Sequence, residues 1–390
     1  MPRVAHYDTL RLLTCRVDAA CGQPGVKRQT IWKALLLVGS MSVAAGLSEW
    51  TVRFMLPRSV LRGETVLFEF SERLGWQLAP HAVSVVEIPD GIATPISINA
   101  YGMRDQPRVL AKAPAVRRIA VLGDSFLLGF GVADADLVTT RLQRDLLPGT
   151  EVLNFGVSGY GPLQECLLLG DRARLFSPDV VVLMLYLGND LDDLRDSGGF
   201  MAGYSRPRAL IGPGGSLVIE NLPVPAPRAI DSFLYGLRRF ELYHVLARAS
   251  HRLTSPAGQA RGDDEGGGTG QERDQAFDVL RVVLSEMART VADLRAELVI
   301  VGFPGRAEAS RLASSSPDLT DPAVASTERT LRAIASQVGA SYVDLTHPLA
   351  RAIAVGTDPY FPAYAHWNSR GHLIAAEAIA AHLRSRSRAG

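Results

Sequence analysis

Cysteine is scarce in this chain, with Cys15, Cys21 and Cys166 as its full complement. Three thiols cannot make a disulfide framework, and no Cys/His spacing resembles a zinc site. An excess of one charge is missing too. The 41 basic residues face 40 acidic ones, for a net charge of +1, which leaves no footprint for nucleic acid and no acidic tail. The turn at Gly123 lacks G-x-G-x-x-G or Walker spacing, and no Lys follows it, which argues against a nucleotide-binding doubly wound domain. Apolar residues are plentiful instead. Of 390 residues, 47% are hydrophobic and 21% charged, enough for one large domain or two smaller ones.

The longest uncharged run, Ala34 to Ser48, follows a basic stretch with Arg11, Arg16, Lys27, Arg28 and Lys33. With Ile31 and Trp32 before it and Trp50 to Leu56 after it, the run extends to about 20 residues, the length of a membrane span. Trp32 and Trp50 flank it as interfacial anchors do, and the positive flank places the N-terminus on the cytoplasmic side. Three readings stand side by side: an uncleaved signal anchor, a cleaved signal peptide after a long basic region, and a buried core helix. The first divides the chain into a cytoplasmic segment (1–33), a transmembrane anchor (34–56), an irregular strand-containing lead-in (57–116) and a main domain (117–390). Cys15 and Cys21 could pair, and Cys166 reads as a buried free thiol.

From residue 117 strands and helices alternate. Strands are expected at Arg118 to Leu122, Glu151 to Phe155, Val180 to Leu187, Leu298 to Phe303 and Ser341 to Leu345. Helices are expected at Asp134 to Leu147, Pro162 to Phe176, Phe277 to Leu294, Val324 to Val338 and from Arg370 to about Arg384. Such alternation means a parallel sheet with helices on both faces, an α/β class three-layer α/β/α sandwich. Residues 192–272 interrupt the pattern. Ala209 to Ile219 reads as a hairpin around a Gly-rich turn, Ile230 to Leu253 as one helix, and 255–272 as disordered.

Four short clusters sit at strand-to-helix junctions: Gly123-Asp124-Ser125, Asn154-Phe-Gly-Val-Ser-Gly159, Gly188-Asn189-Asp190 and His366-Trp-Asn-Ser-Arg-Gly-His372. Open α/β sheets place ligands at such carboxyl ends. Taken singly, each also reads as ordinary turn chemistry. In this order the four resemble the SGNH hydrolases, the GDSL esterase/lipase superfamily, over about residues 117 to 385 with the insertion outside. The resemblance implies that fold, a nucleophilic Ser125, a catalytic His366, and an oxyanion hole made by Ser125, Gly159 and Asn189. His372 reads as structural. Gly-Asp-Ser-Phe followed by Gly129-Phe-Gly-Val is similar to membrane-tethered or periplasmic bacterial members, some of which handle acyl groups on cell-surface polysaccharides. The expectation is an inner-membrane, single-pass protein with its catalytic domain in the periplasm. It would be a serine esterase or acyltransferase on a short acyl group, acetyl above all, of an envelope polysaccharide or related small molecule. No metal or organic cofactor is implied, because serine acyl chemistry needs neither.

One departure stands out. The family carries an Asp two or three residues before the catalytic His, where this chain has Tyr364 and Ala363. Removing that carboxylate from a working triad costs about four orders of magnitude in rate. Asp344 or Asp358 could stand in; a Ser–His dyad could use a backbone carbonyl to orient the ring; or the protein could be an inactive SGNH-fold binding or assembly component.

Overall fold

The computed structural model describes residues 24–55, 63–194, 203–230, 270–315 and 319–387, with positions 240, 242, 243 and 246. Cys15, Cys21, most of the Ile230 to Leu253 helix and nearly all of 255–272 lie outside them. The chain divides into two compact units, residues 1–57 with 240–242, and residues 58–239 with 243–390.

The first unit holds one long helix, α1 (Pro24–Met55). Its segment Gln29–Val52, 24 residues of mean hydropathy 1.5, is long and apolar enough to cross a membrane, as a signal sequence also is. The helix exposes apolar side chains all round, from Leu35, Leu36 and Leu37 to Val43 and Leu47, the pattern of a helix surrounded by apolar material. Its Ser40, Ser42 and Thr51 hydroxyls donate back to the carbonyls of Leu37, Val38 and Leu47. Those polar groups therefore need no water.

In the second unit, residues 63–116 form two antiparallel hairpins, β1 (Phe68–Ser71) with β2 (Gly75–Leu78) and β3 (Val83–Glu87) with β4 (Ala93–Ser97). The main sheet then begins with β5 (Arg117–Gly123), followed by α2 (Ser125–Leu128) and α3 (Val138–Arg141). Next come β6 (Thr150–Gly156), α4 (Pro162–Asp171), β7 (Val180–Tyr186) and α5 (Asp190–Asp193). The inserted hairpin is β8 (Arg208–Ile211) with β9 (Leu217–Glu220), after which α6 (Gly270–Asp293) leads into β10 (Glu297–Phe303). The chain continues through α7 (Arg306–Ser315), α8 (Pro322–Gln337), β11 (Ser341–Asp344), α9 (Thr346–Ala354) and α10 (Ser369–Ser387).

The main sheet has the order β11-β10-β7-β5-β6, every pair parallel. All seven residues of β7 are buried, as a central strand covered on both faces requires. Strand side chains alternate between two apolar clusters. Ala120, Leu122, Leu153, Val181 and Leu183 join α4 and α6 on one face. Ile119, Val121, Val152, Val182 and Met184 join α9 and α10 on the other. That period of two against helical stripes makes the three-layer sandwich.

Two details depart from the sequence reading. The hairpins at 63–116 are part of the main packing: Leu67, Trp76, Leu78, Val86 and Ile96 belong to the same apolar cluster as the sheet face. The helix expected over 134–147 is broken, because Leu137 is extended (φ −62°, ψ 148°) between a short 3-10 turn and α3. A π turn at Leu142–Leu146 follows, closed by the Leu147 N–H on the Leu142 carbonyl.

Candidate active site

Strand β5 ends at Gly123, and Asp124 caps the next helix by accepting the Phe126 N–H at 2.9 Å. That cap turns the chain sharply and leaves Ser125 at the first helical position, half-buried rather than enclosed. Gly156 of β6 lies against the same helix, where a Cβ would meet the Leu128 nitrogen at 2.7 Å. Arg104 braces the far end. Its buried guanidinium donates from Nη1 to the carbonyls of Leu128 (2.8 Å) and Gly129 (2.6 Å), and from Nη2 to that of Val132 (2.7 Å). Asp134 closes the fork with a bond to Nε at 2.9 Å and to Nη2 at 2.7 Å.

His366 comes from the loop before α10. Its Nε2 lies 2.8 Å from Ser125 Oγ. Its Nδ1 lies 3.0 Å from the carbonyl oxygen of Tyr364, which fixes Nδ1 as the protonated nitrogen and leaves Nε2 free to accept from the hydroxyl. This short loop works because Ala365 adopts a left-handed backbone (φ 59°), a conformation that L-residues other than Asn and Asp seldom take. Asp90, in the turn of the β3–β4 hairpin, holds the loop by accepting the N–H groups of Ala363 and Tyr364 at 2.9 and 2.8 Å. Burial pushes the His366 imidazole down to about 4, against a smaller upward effect of the Tyr364 carbonyl.

Neither candidate acid reaches this ring. Asp344 accepts from Thr346 N–H (3.1 Å) and from His347 through its N–H (3.2 Å) and Nδ1 (2.9 Å). Asp358 pairs with Arg306 at 2.7 Å and accepts the Tyr360 N–H at 3.0 Å. Asp344 ends β11 and accepts N–H groups from the first two residues of α9, and Asp358 spans from the loop before α10 to α7, so each is used where it stands. His372, in α10, is fully buried and accepts the Val138 N–H on Nδ1 at 3.2 Å, the structural place expected of it.

The two other junctions flank Ser125 because β6 and β7 are the neighbours of β5. Gly159 has φ 75° in a turn closed by Tyr160 N–H on the Val157 carbonyl at 3.2 Å, the third position of a type II turn, which calls for glycine. Trp76 of β2 steadies that turn, donating from Nε1 to the Ser158 carbonyl at 2.9 Å. Asn189 donates from Nδ2 to Asp193 Oδ2 at 3.3 Å, and its Oδ1 is buried with no hydrogen-bond partner among the described residues.

Sequence reasoning did not single out the acidic group beneath these loops. Asp124, Glu165 and Asp190 are fully buried beside Asp193, whose Oδ1 lies 2.8 Å from Arg206 Nη1. Burial, then the charge of Asp193, raises Asp124 to about 7, against the opposing pull of the Phe126 N–H. Burial above all, with neighbouring carboxylates next, lifts Glu165 and Asp190 well above the usual range. Carboxyls whose burial favours the protonated form place less negative charge on this side of Ser125 than four free carboxylates would. The sequence signal was available only in part: Asp124 and Asp190 lie inside the quoted clusters, whereas Glu165 and Arg206 come from α4 and the insertion. Among the described residues Glu328, Asp344 and His347 also lie close enough to hold a cation, but Arg332 engages Glu328 and backbone N–H groups engage Asp344.

A comparison with curated proteins finds no match. Solved structures similar to this chain include a two-domain esterase active on acetylated mannans (11% identity, TM-score 0.38, 69% of this chain and 49% of that one). A lipase/acylhydrolase from Enterococcus faecalis is similar at 12% identity and TM-score 0.36, over 70% of this chain and 97% of that one. An acetylxylan esterase from Geobacillus stearothermophilus, in a catalytic mutant form, is similar at 12% identity and TM-score 0.37, over 69% and 94%. Residues 121–374 match the GDSL-like lipase/acylhydrolase family, and a span that runs from the end of β5 through Ser125 to His366 and the start of α10 makes this chain a member of that family.

Proposed function

We propose that this protein is a serine esterase or acyltransferase that works as a Ser125–His366 dyad, anchored by α1 with its α/β domain in the periplasm. The observation that carries the reading is the pair of bonds on one imidazole, Ser125 Oγ at 2.8 Å from Nε2 and the Tyr364 carbonyl at 3.0 Å from Nδ1. Nε2 takes the hydroxyl proton as Oγ attacks the acyl carbonyl. The oxyanion is met by the N–H groups of Ser125 and Gly159 and by the Asn189 amide, which keeps a second N–H beyond the one given to Asp193. Collapse expels the alcohol, which takes the proton back from His366. Water or a second hydroxyl then attacks acyl-Ser125, so hydrolysis and transfer share every residue. The Tyr364 carbonyl holds the tautomer that a carboxylate would hold, without contributing a full charge.

The substrate class is a short acyl ester, acetyl first, on a cell-envelope polysaccharide or related small molecule. Support for it is the likeness of Gly-Asp-Ser-Phe and Gly129-Phe-Gly-Val to membrane-tethered bacterial members. The test is hydrolysis of a chromogenic acetyl ester by the full chain in detergent, beside Ser125→Ala. Release that disappears with Ser125 supports the enzyme. Release equal to the Ser125→Ala background favours a second reading, a binding or assembly component of an envelope polysaccharide system. That reading draws on the Asp344 and Asp358 carboxylates being engaged away from His366.

A further inference from the structure

We propose that Tyr364 and Phe126 are positioning residues that clamp the His366 imidazole between two aromatic faces and stabilise its cationic form, in place of the carboxylate this chain lacks. The inference rests on the reading of His366 as the base. The Tyr364 ring stacks on the imidazole with centroids 4.0 Å apart and planes 8° apart. The Phe126 ring stacks on it at 4.3 Å and 20°. Two rings each lying nearly parallel and so close to one imidazole cannot sit side by side on the same face, because they would overlap. They cover opposite faces, and the imidazole is the middle layer of three.

Both outer layers are held independently of the histidine. Phe126 is fixed by Tyr186 at 4.6 Å, Phe303 at 5.0 Å and Trp367 at 5.2 Å, and by its N–H on Asp124. Tyr364 is fixed by its N–H on Asp90. The chain direction at Ala365 serves two ends at once. It turns the Tyr364 carbonyl onto Nδ1 and lays the Tyr364 ring on the imidazole face. With Tyr364 and Ala363 at the two positions where the resemblance expects the Asp, the chain lacks a carboxylate and offers a face instead.

The chemistry asks for such support. When Nε2 takes the Ser125 proton, a full positive charge appears on a half-buried ring whose Nδ1 partner is a neutral carbonyl dipole. The negative face of an aromatic ring attracts a cation, more strongly where water is excluded. The faces also block rotation about the side-chain bonds, so Nε2 stays on Oγ in both charge states. Among the described residues, the titratable groups around this stack include Asp124 at the start of α2 and Glu64 ahead of β1, both acting on Tyr364, Asp90 on the Tyr364 N–H, Tyr186 against Phe126 and His372 from α10.

The test follows the ring directly. His366 is titrated by NMR in the full chain in micelles with labelled histidine, for the wild type, Tyr364→Phe and Tyr364→Leu, and the same samples are assayed on the acetyl ester. Tyr364→Phe keeps the face, and the clamp requires its midpoint and kcat to stay within about twofold of wild type. Tyr364→Leu keeps the bulk without the face, so the midpoint falls and kcat drops roughly tenfold while KM holds. A midpoint that rises in Tyr364→Leu means the ring only shuts out water, and overturns the proposal, as does a Leu variant indistinguishable from Phe. Should Tyr364→Leu not fold, fluorinated phenylalanines at 364 weaken the face with little change of shape. The midpoint must then fall with each added fluorine, and a flat series overturns the clamp. If wild type shows no Ser125-dependent turnover, the esterase reading fails by itself, and the titration still decides the clamp.

Discussion

Arg104 Nη1 lies 2.8 Å from the carbonyl oxygen of Leu128, the last residue of the helix that Ser125 opens. A four-residue helix cannot hold itself in water, so this one depends on its cap at Asp124 and on that guanidinium. Arg104 also engages the Gly129 and Val132 carbonyls, which is a geometry a lysine cannot reproduce.

For the proposed dyad, Arg104→Lys is therefore expected to lower kcat with KM little changed, because Ser125 loses its fixed place. Arg104→Ala leaves several buried carbonyls without a donor and should cost about 3 kcal/mol of stability. Denaturant unfolding and steady-state kinetics on both variants check this. A Lys variant with wild-type kcat would remove Arg104 from the positioning of Ser125.

For the proposed dyad, the acid limb of kcat/KM is expected near pH 4 rather than near 6.5. Burial holds the His366 imidazole down to about 4, so the base is still neutral and competent at pH 5. The sign is that of any base catalyst: activity is lost as pH falls through its value in the free enzyme. A profile from pH 3.5 to 8 with an inflection at 6 to 7 would show that the working ring is more hydrated than this structure has it.

Asn189→Ala should reduce kcat by two to three orders of magnitude, about 3 kcal/mol in the transition state, with KM nearly unchanged. The oxyanion exists only after attack, so a donor to it supports the transition state and not the bound ester. Asn189 also holds Asp193, so Asp193→Asn serves as the control. If it alone produced the loss, the role of Asn189 would be to order its own helix.

The sheet was legible because its strands are short apolar runs bounded by turn residues and separated by helical patterns, and a parallel sheet needs nothing more local than that. The meeting of Ser125 and His366 was legible only through the resemblance, since 241 residues separate them. What escaped the sequence is instructive. The partner of His366 Nδ1 is a backbone carbonyl, which no side chain announces. The aromatic faces over the same ring come from positions 126 and 364, and nothing in the sequence says that a Phe in the Ser motif and a Tyr beside the His meet on one imidazole. The break at Leu137 was hidden because Val138, Leu142 and Leu146 keep a helical spacing even though the backbone between the turns is extended. The buried acids draw on α4, α5 and the loop after β5, and only the fold brings them together.

Glu165 gives stability a pH dependence opposite in sign to that of His366 and His372. It is fully buried, and both carboxylate oxygens lack a hydrogen-bond partner among the described residues. Burial first, then the charges of Asp124 and Asp193, raises its folded value well above 4.5. A carboxyl of raised value binds more protons folded than unfolded, so stability falls as pH rises above the unfolded value. His366 and His372 are held at about 4 and about 3, so their contribution falls as pH drops from 6.5 toward those values. The two effects oppose each other between pH 4.5 and 6.5, and above 6.5 only the carboxyls still act. Glu165→Gln should thus unfold at higher denaturant than wild type at pH 8, by about 1 to 3 kcal/mol, and the gain should shrink steadily toward pH 4.5. The titration separates this from simple repacking, because a better-packed amide would stabilise equally at both ends. A constant gain would mean that the amide only packs better, and a loss at pH 8 would mean that Glu165 is ionised and paired in the folded chain; either outcome removes the buried protonated carboxyl.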